Sequence, residues 1–197
     1  MHNGPIQNTL HFEKQAQETG AWKRDLFILE RVSYIIDGVW VLSEKIKLTP
    51  DEFSFLSLFQ TVTTAVARDC IIDDKVDRVI FVVHKGQMGM AIGKGGSNIK
   101  QLQNVIPKKI ELVEYSENPV NFIKNVFNSD IIQNIKISER LDGTKNAIVV
   151  VDMKKKGIIV GKDGRNVDKA RILAKRYFNI TNVLILSPEQ LIKSEHM

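Results

Sequence analysis

Two glycine-bearing octets carry the residues best suited to chemistry. Ile92-Gly93-Lys94-Gly95-Gly96-Ser97-Asn98-Ile99 lies near mid-chain, and Val160-Gly161-Lys162-Asp163-Gly164-Arg165-Asn166-Val167 lies in the last quarter. A Gly-x-x-Gly turn entering a helix suits phosphate. Glycine adopts backbone conformations closed to other residues and lets the main chain approach a ligand closely. The first amides of the next helix are free donors, and the helix dipole favours negative charge there. Lys94, Lys162 and Arg165 add charge-assisted contacts, and Ser97 and Lys100 extend the first candidate binding set. Ile92, Ile99, Val160 and Val167 can floor a narrow groove for bases. Such a groove suits a single strand, whose bases are unstacked, better than a duplex.

Other phosphate motifs fit worse. A Walker loop needs glycine five positions before the Gly-Lys pair, where Met88 and Lys156 stand. A dinucleotide-binding Gly-x-Gly-x-x-Gly fails because Asn98 occupies the third glycine position. A lone Gly-x-x-Gly can be only a tight turn between helices. Two copies in matching surroundings weigh against that reading.

Those surroundings repeat. Thr49-Pro50-Asp51-Glu52 is a helix start with a capping box, and Leu56, Phe59, Val62 and Val66 follow at helical spacing. Asn118-Pro119 opens a second such helix, with Val120, Ile123 and Phe127 behind it. Each is followed by a weaker strand candidate (Cys70–Asp73, Ile135–Ser138), a polar turn and a buried strand, Val79–Val83 or Ala147–Val151. The second of these turns contains Asp142-Gly143, a hairpin signal. Pro50 precedes Gly93 by 43 residues and Pro119 precedes Gly161 by 42; each buried strand ends 10 residues before its loop glycine. After the loops, Ile99, Leu102 and Ile106, then Val167, Ala170, Ala174 and Tyr177, predict helices. Final strands follow at Lys109–Tyr115 and Asn182–Leu186. The pattern is an internal duplication into two α+β modules of about 70 residues.

Composition agrees. The 197 residues are 43% hydrophobic and 26% charged, enough to bury a core. The single cysteine, Cys70, excludes a disulfide framework and a cysteine zinc cluster, and it reads as a small core residue. Asp25–Leu42 is apolar but interrupted by Glu30, Arg31 and Asp37, short of a membrane span. The N-terminus lacks an export signal, so a cytoplasmic protein is expected. The net charge of +5 lies wholly in residues 117–197, with 14 basic and 9 acidic side chains; the preceding segments are neutral. That asymmetry suggests a division of labour, with the first loop placing a polyanion by geometry and the second module holding it by charge.

The octets resemble the I-G-x-x-G-x-x-I signature of KH domains, which clamp about four single-stranded nucleotides. Helix-first order resembles the type II, prokaryotic arrangement. The resemblance therefore implies two tandem type II KH modules, each a three-stranded sheet packed against helices. The stretch His84–Gln103, HKGQMGMAIGKGGSNIKQLQ, with the tandem layout, is similar to the archaeal NusA-like transcription termination/antitermination factors. The resemblance implies a first KH domain over 47–116, a second over 117–190, and a tail at 191–197. It implies that both loops bind single-stranded RNA, that RNA polymerase is the protein partner, and that no catalytic residue, metal, cofactor, membrane or small-molecule substrate is involved. A ribosome-associated or RNA-processing KH adaptor is the alternative; a nucleotide-dependent enzyme is disfavoured by the failed loop matches. Asp163 departs from the pattern by placing a carboxylate in the phosphate path. The short connector at Ser116–Pro119 predicts a rigid pair.

Residues 1–46 have no counterpart in that pattern. They read either as an extension from a misassigned start, with the natural start near Val39 or Val41, or as a contacting helix over Leu26–Trp40. His84 lacks a catalytic partner at predictable spacing. Asp73, Asp74 and Asp77 fit turn chemistry. Met88 and Met90 fit packing of a short helix. Lys154-Lys155-Lys156 reads as a solvated turn or a phosphate contact. Gly93→Asp with Lys94→Asp is expected to abolish RNA binding with the fold intact.

Overall fold

The computed structural model describes residues 47–140 and 143–195, and in the leader only three two-residue strands. Phe27–Ile28 pairs antiparallel with Lys47–Leu48, and Ile35–Ile36 pairs with Val39–Trp40, so these positions are extended rather than helical. The start-site reading lies outside the described residues.

The first module opens with helix α1, Pro50–Thr63. The expected capping box forms: Glu52 N donates to Thr49 Oγ1 at 3.2 Å, and Thr49 N donates to Glu52 Oε2 at 2.8 Å. Thr64, at φ 57°, ends the helix in the left-handed region, so Val66 falls beyond it and is exposed rather than on its apolar stripe. Strands β1 (Ala67–Asp73) and β2 (Arg78–Val83) form an antiparallel hairpin. The next strand, β3 (Lys109–Glu114), runs parallel to β2. Parallel pairing forces the chain back across the sheet. That crossover carries helix α2 (Met88–Ile92), the first glycine loop and helix α3 (Ser97–Val105).

The second module repeats the plan. Helix α4 (Pro119–Phe127) is capped by Asn118 Oδ1, which accepts from Val120 N and Asn121 N. Strands β4 (Ile132–Glu139) and β5 (Lys145–Val151) are antiparallel. Helix α5 (Lys156–Val160), the second loop and helix α6 (Arg165–Phe178) cross to β6 (Ile180–Leu186), which is parallel to β5. Sheet orders β1-β2-β3 and β4-β5-β6 have the same sequence of an antiparallel and then a parallel pairing, as a duplication requires. Helix α7, Pro188–Glu195, closes the described chain. The most buried residues of α4 are Phe122, Ile123 and Val126; Val120 and Phe127 pack only at its margin.

The fold differs from two separate beads. Every residue of β2 is buried, because its two faces have different partners. Val79, Phe81 and Val83 face the first module's own core with Phe59, Leu102 and Ile106; Phe59 and Phe81 stack at 4.5 Å. Ile80 and Val82, with Ile71 and Val113, join a second core built mostly from α4, α6 and the second sheet. Tyr115, Phe122, Tyr177 and Phe178 make an aromatic cluster at this junction, and Arg68 lies 3.7 Å over the Tyr115 ring. Polar pairs flank the apolar centre. Arg176 and Tyr177 reach Asp69 at 2.8 and 3.2 Å, and Lys169 reaches Glu111 at 2.9 Å.

Candidate nucleic-acid interface

The two glycine loops have nearly the same backbone. Gly93 sits at φ 74°, ψ 169°, and Gly161 at φ 73°, ψ 172°. This region is open essentially to glycine alone. A Cβ on Gly93 would lie 2.6 Å from Ser97 Oγ and 2.7 Å from Asn98 Cγ; one on Gly161 would lie 2.7 Å from Asn166 Nδ2. Gly93→Asp therefore disrupts the loop itself, contrary to the expectation that it spares the fold. The third loop position is left-handed in both, Gly95 at φ 61° and Asp163 at φ 54°. Aspartate tolerates that conformation better than most residues, which explains how the second loop carries it.

Gly96 and Gly164 stand at the N-caps of α3 and α6, and neither helix has a side-chain cap. The leading amide of each helix turns back into its own loop, Ser97 N donating to Lys94 O and Arg165 N to Lys162 O, and no side chain of the loop occupies the cap position in front of it. Lys94, Gly95, Ser97 and Lys100 are exposed around the first loop, and Lys162, Asp163 and Arg165 around the second. Gly93 and Gly96, like Gly161 and Gly164, are half-buried. The apolar candidates divide. Ile92 is exposed; Ile99 and Val160 are half-buried against the cores; Val167 is 5% exposed and belongs to the interior. Met90, expected to pack, is exposed beside the first loop, as its counterpart Ile158 is beside the second.

Sequence reasoning missed Asn98 and Asn166. Asn98 Nδ2 donates to Met90 O at 2.8 Å, and Asn166 Nδ2 faces Ile158 O at 3.5 Å. Each ties the helix after the loop to the helix before it. The signal was present, since asparagine is shared by both octets at the same position.

The acidic residues of the first hairpin have structural partners. Asp73 binds buried Arg78, and Asp74 and Asp77 both accept from Lys108 at 2.9 Å. Among the described residues no group of three or more metal-capable side chains forms, and no helix is long and apolar enough to cross a membrane. Cys70 is fully buried, and burial pushes its thiol well above the ordinary range. Lys154 and Lys155 are exposed in a short turn, while Lys156 donates to Gln190 at 3.1 Å.

The charge asymmetry is partly an internal matter. Two cations of the second module, Lys169 and Arg176, meet two anions of the first, Glu111 and Asp69. Setting those pairs aside leaves residues 117–197 at +3 and residues 50–116 at +2. The outward excess is shared by both modules.

Fold and loops together define a protein of KH type. A KH-domain family model matches residues 56–131, which include the first loop. A Halobacterium salinarum protein named "Probable transcription termination protein NusA" is 36% identical over 138 residues, covering 70% of this chain and 96% of that protein. A Methanocaldococcus jannaschii protein of the same name is 30% identical over 149 residues, covering 76% and 80%. The crystal structure of APE1850 is similar at 37% identity and a TM-score of 0.65, covering 71% of this chain and all of that one. The chain belongs to the NusA-like family of KH proteins.

Proposed function

We propose that this chain binds single-stranded RNA through both glycine loops and acts in transcription termination or antitermination. The observation that carries this reading is the repeated loop backbone, which sets a helix start without a side-chain cap beside an exposed lysine, Lys94 or Lys162, twice in one chain. Residues 47–116 and 117–190 serve as the two RNA-binding modules. The names of the relatives supply the process, and RNA polymerase is the proposed protein partner in the cytoplasm. Binding of this kind needs no catalytic step and no cofactor.

Lys94→Asp with Gly95→Asp tests the clamp. The Cβ at position 95 meets nothing within 4 Å, and aspartate already holds the equivalent place in the second loop. Affinity for a single-stranded RNA is expected to fall about tenfold, while the thermal midpoint drops by only a few degrees, roughly the cost of a side chain at the left-handed position 95. Undiminished affinity would refute the clamp. Crosslinking in cells is expected to recover RNA polymerase; recovery of ribosomal subunits instead would replace transcription by a ribosome-linked role.

A further inference from the structure

Helix α6 starts where the second loop ends, and the first module reaches it at that point. Arg78, on β2, is 1% exposed. Its Nε and Nη2 donate to Asp73 Oδ2 at 3.0 and 2.8 Å. Nη2 also donates to the main-chain oxygen of Arg165 at 3.0 Å. Arg165 is the first residue of α6, directly after Gly164. One turn further on, Lys169 is held by Glu111, whose carboxylate also lies 3.7 Å from Arg78 Nη1. Arginine suits this place because its rigid fork serves a carboxylate and a carbonyl at once, whereas lysine offers one mobile point. A peptide oxygen has two lone pairs, so Arg165 can accept from Arg78 and from its own helix together.

The two loops need different support. The first is tied locally by the 2.8 Å bond from Asn98; the equivalent bond from Asn166 is stretched to 3.5 Å, the outer limit of a hydrogen bond. We propose that Arg78 is a positioning residue for the second glycine loop. It fixes the start of α6 from the neighbouring module and thereby sets the aim of the second loop relative to the first. The geometry stands by itself; its consequence for RNA rests on the function proposed above.

The test places Arg78→Lys in the full chain in two backgrounds. In one, the first loop is disabled by Lys94→Asp with Gly95→Asp; in the other, the second is disabled by Lys162→Asp with Arg165→Asp. Affinity for a single-stranded RNA oligonucleotide is expected to fall about fivefold where only the second loop binds, and to stay within about twofold where only the first binds. Without RNA, amide hydrogen exchange over residues 164–170 is expected to accelerate while residues 93–102 stay unchanged. Equal losses in both backgrounds, or unchanged exchange at 164–170, would overturn the proposal. Should Arg78→Lys fail to fold, Asp73→Asn removes the charge that anchors the guanidinium with little change of volume and is expected to give the same pattern. Selective exchange without any loop-dependent RNA binding would keep the positioning role and sink the RNA reading. Loop-dependent binding without the selective response would do the reverse.

Discussion

The two glycine loops share a backbone and differ in what holds it. The first is self-contained: α2, the loop and α3 pack on their own side of the first sheet, and Asn98 closes the turn tightly. The second opens a helix whose far side is pinned to the first sheet by ion pairs and hydrogen bonds at Arg165, Lys169, Arg176 and Tyr177. A duplicated motif therefore does not imply duplicated support. The first module orders its loop locally, and the second draws part of its order from the first.

The largest expected effect comes from the far end of α6. Asp69 is fully buried and accepts from Arg176 and Tyr177. Asp69→Ala is expected to cost about 3 kcal/mol in denaturant unfolding, since it strands a partly buried arginine. On the function proposed above, second-loop RNA binding is expected to suffer before first-loop binding if the contrast between the loops is right. Burial outweighs Arg176 and Tyr177 and raises the Asp69 carboxyl above its ordinary value, so Asp69→Asn is expected to be milder.

A smaller effect concerns pH. Burial opposes ionisation of Glu111, but Lys169, Lys109 and Arg78 together outweigh it and hold the carboxyl down at about 2. A lowered carboxyl stabilises the fold above its unfolded value of 4.5, and that contribution is lost as pH falls towards 2. Asp69 acts with the opposite sign, favouring the fold when protonated. Glu111→Gln is expected to be about 2 kcal/mol less stable than the natural chain at pH 7. The difference should close between pH 4.5 and about 2, followed as denaturant midpoints across pH. A difference that persists at acid pH would show that the Glu111–Lys169 pair does not tie the modules electrostatically.

The smallest effect sharpens the comparison most directly. Asn98→Ala is expected to cost about 1 kcal/mol, and Asn166→Ala only a few tenths, in line with bonds of 2.8 and 3.5 Å. Equal costs would erase the difference in local support.

Much of each module was legible because it is local. The capping box at Thr49 and Glu52, the Asn118 cap and the element order all depend on residues within a few positions of one another, and all form. The one stripe error was also local. Val66 lies past a left-handed Thr64 that spacing alone does not reveal. Val167 looked like groove lining because it mirrors Ile99, yet α6 is packed on more than one side and takes it into the core. The seam was not legible. Asp69 and Arg176 are 107 residues apart, Arg78 and Arg165 87, and no periodicity links such pairs.

By itself, the sequence determined the duplication, the glycine-only turns and the helix caps, because steric and hydrogen-bond rules act over short stretches of chain. The unbroken apolar run Val79–Val83 reads as a strand buried on at least one face. Only the tertiary structure decided what covers the second face of that sheet and which charges are consumed there. Pairing charges across a buried seam depends on which surfaces meet, and that is a property of the packed chain. The +5 thus changes meaning: part of the C-terminal excess binds the modules to each other, and the rest is spread over both.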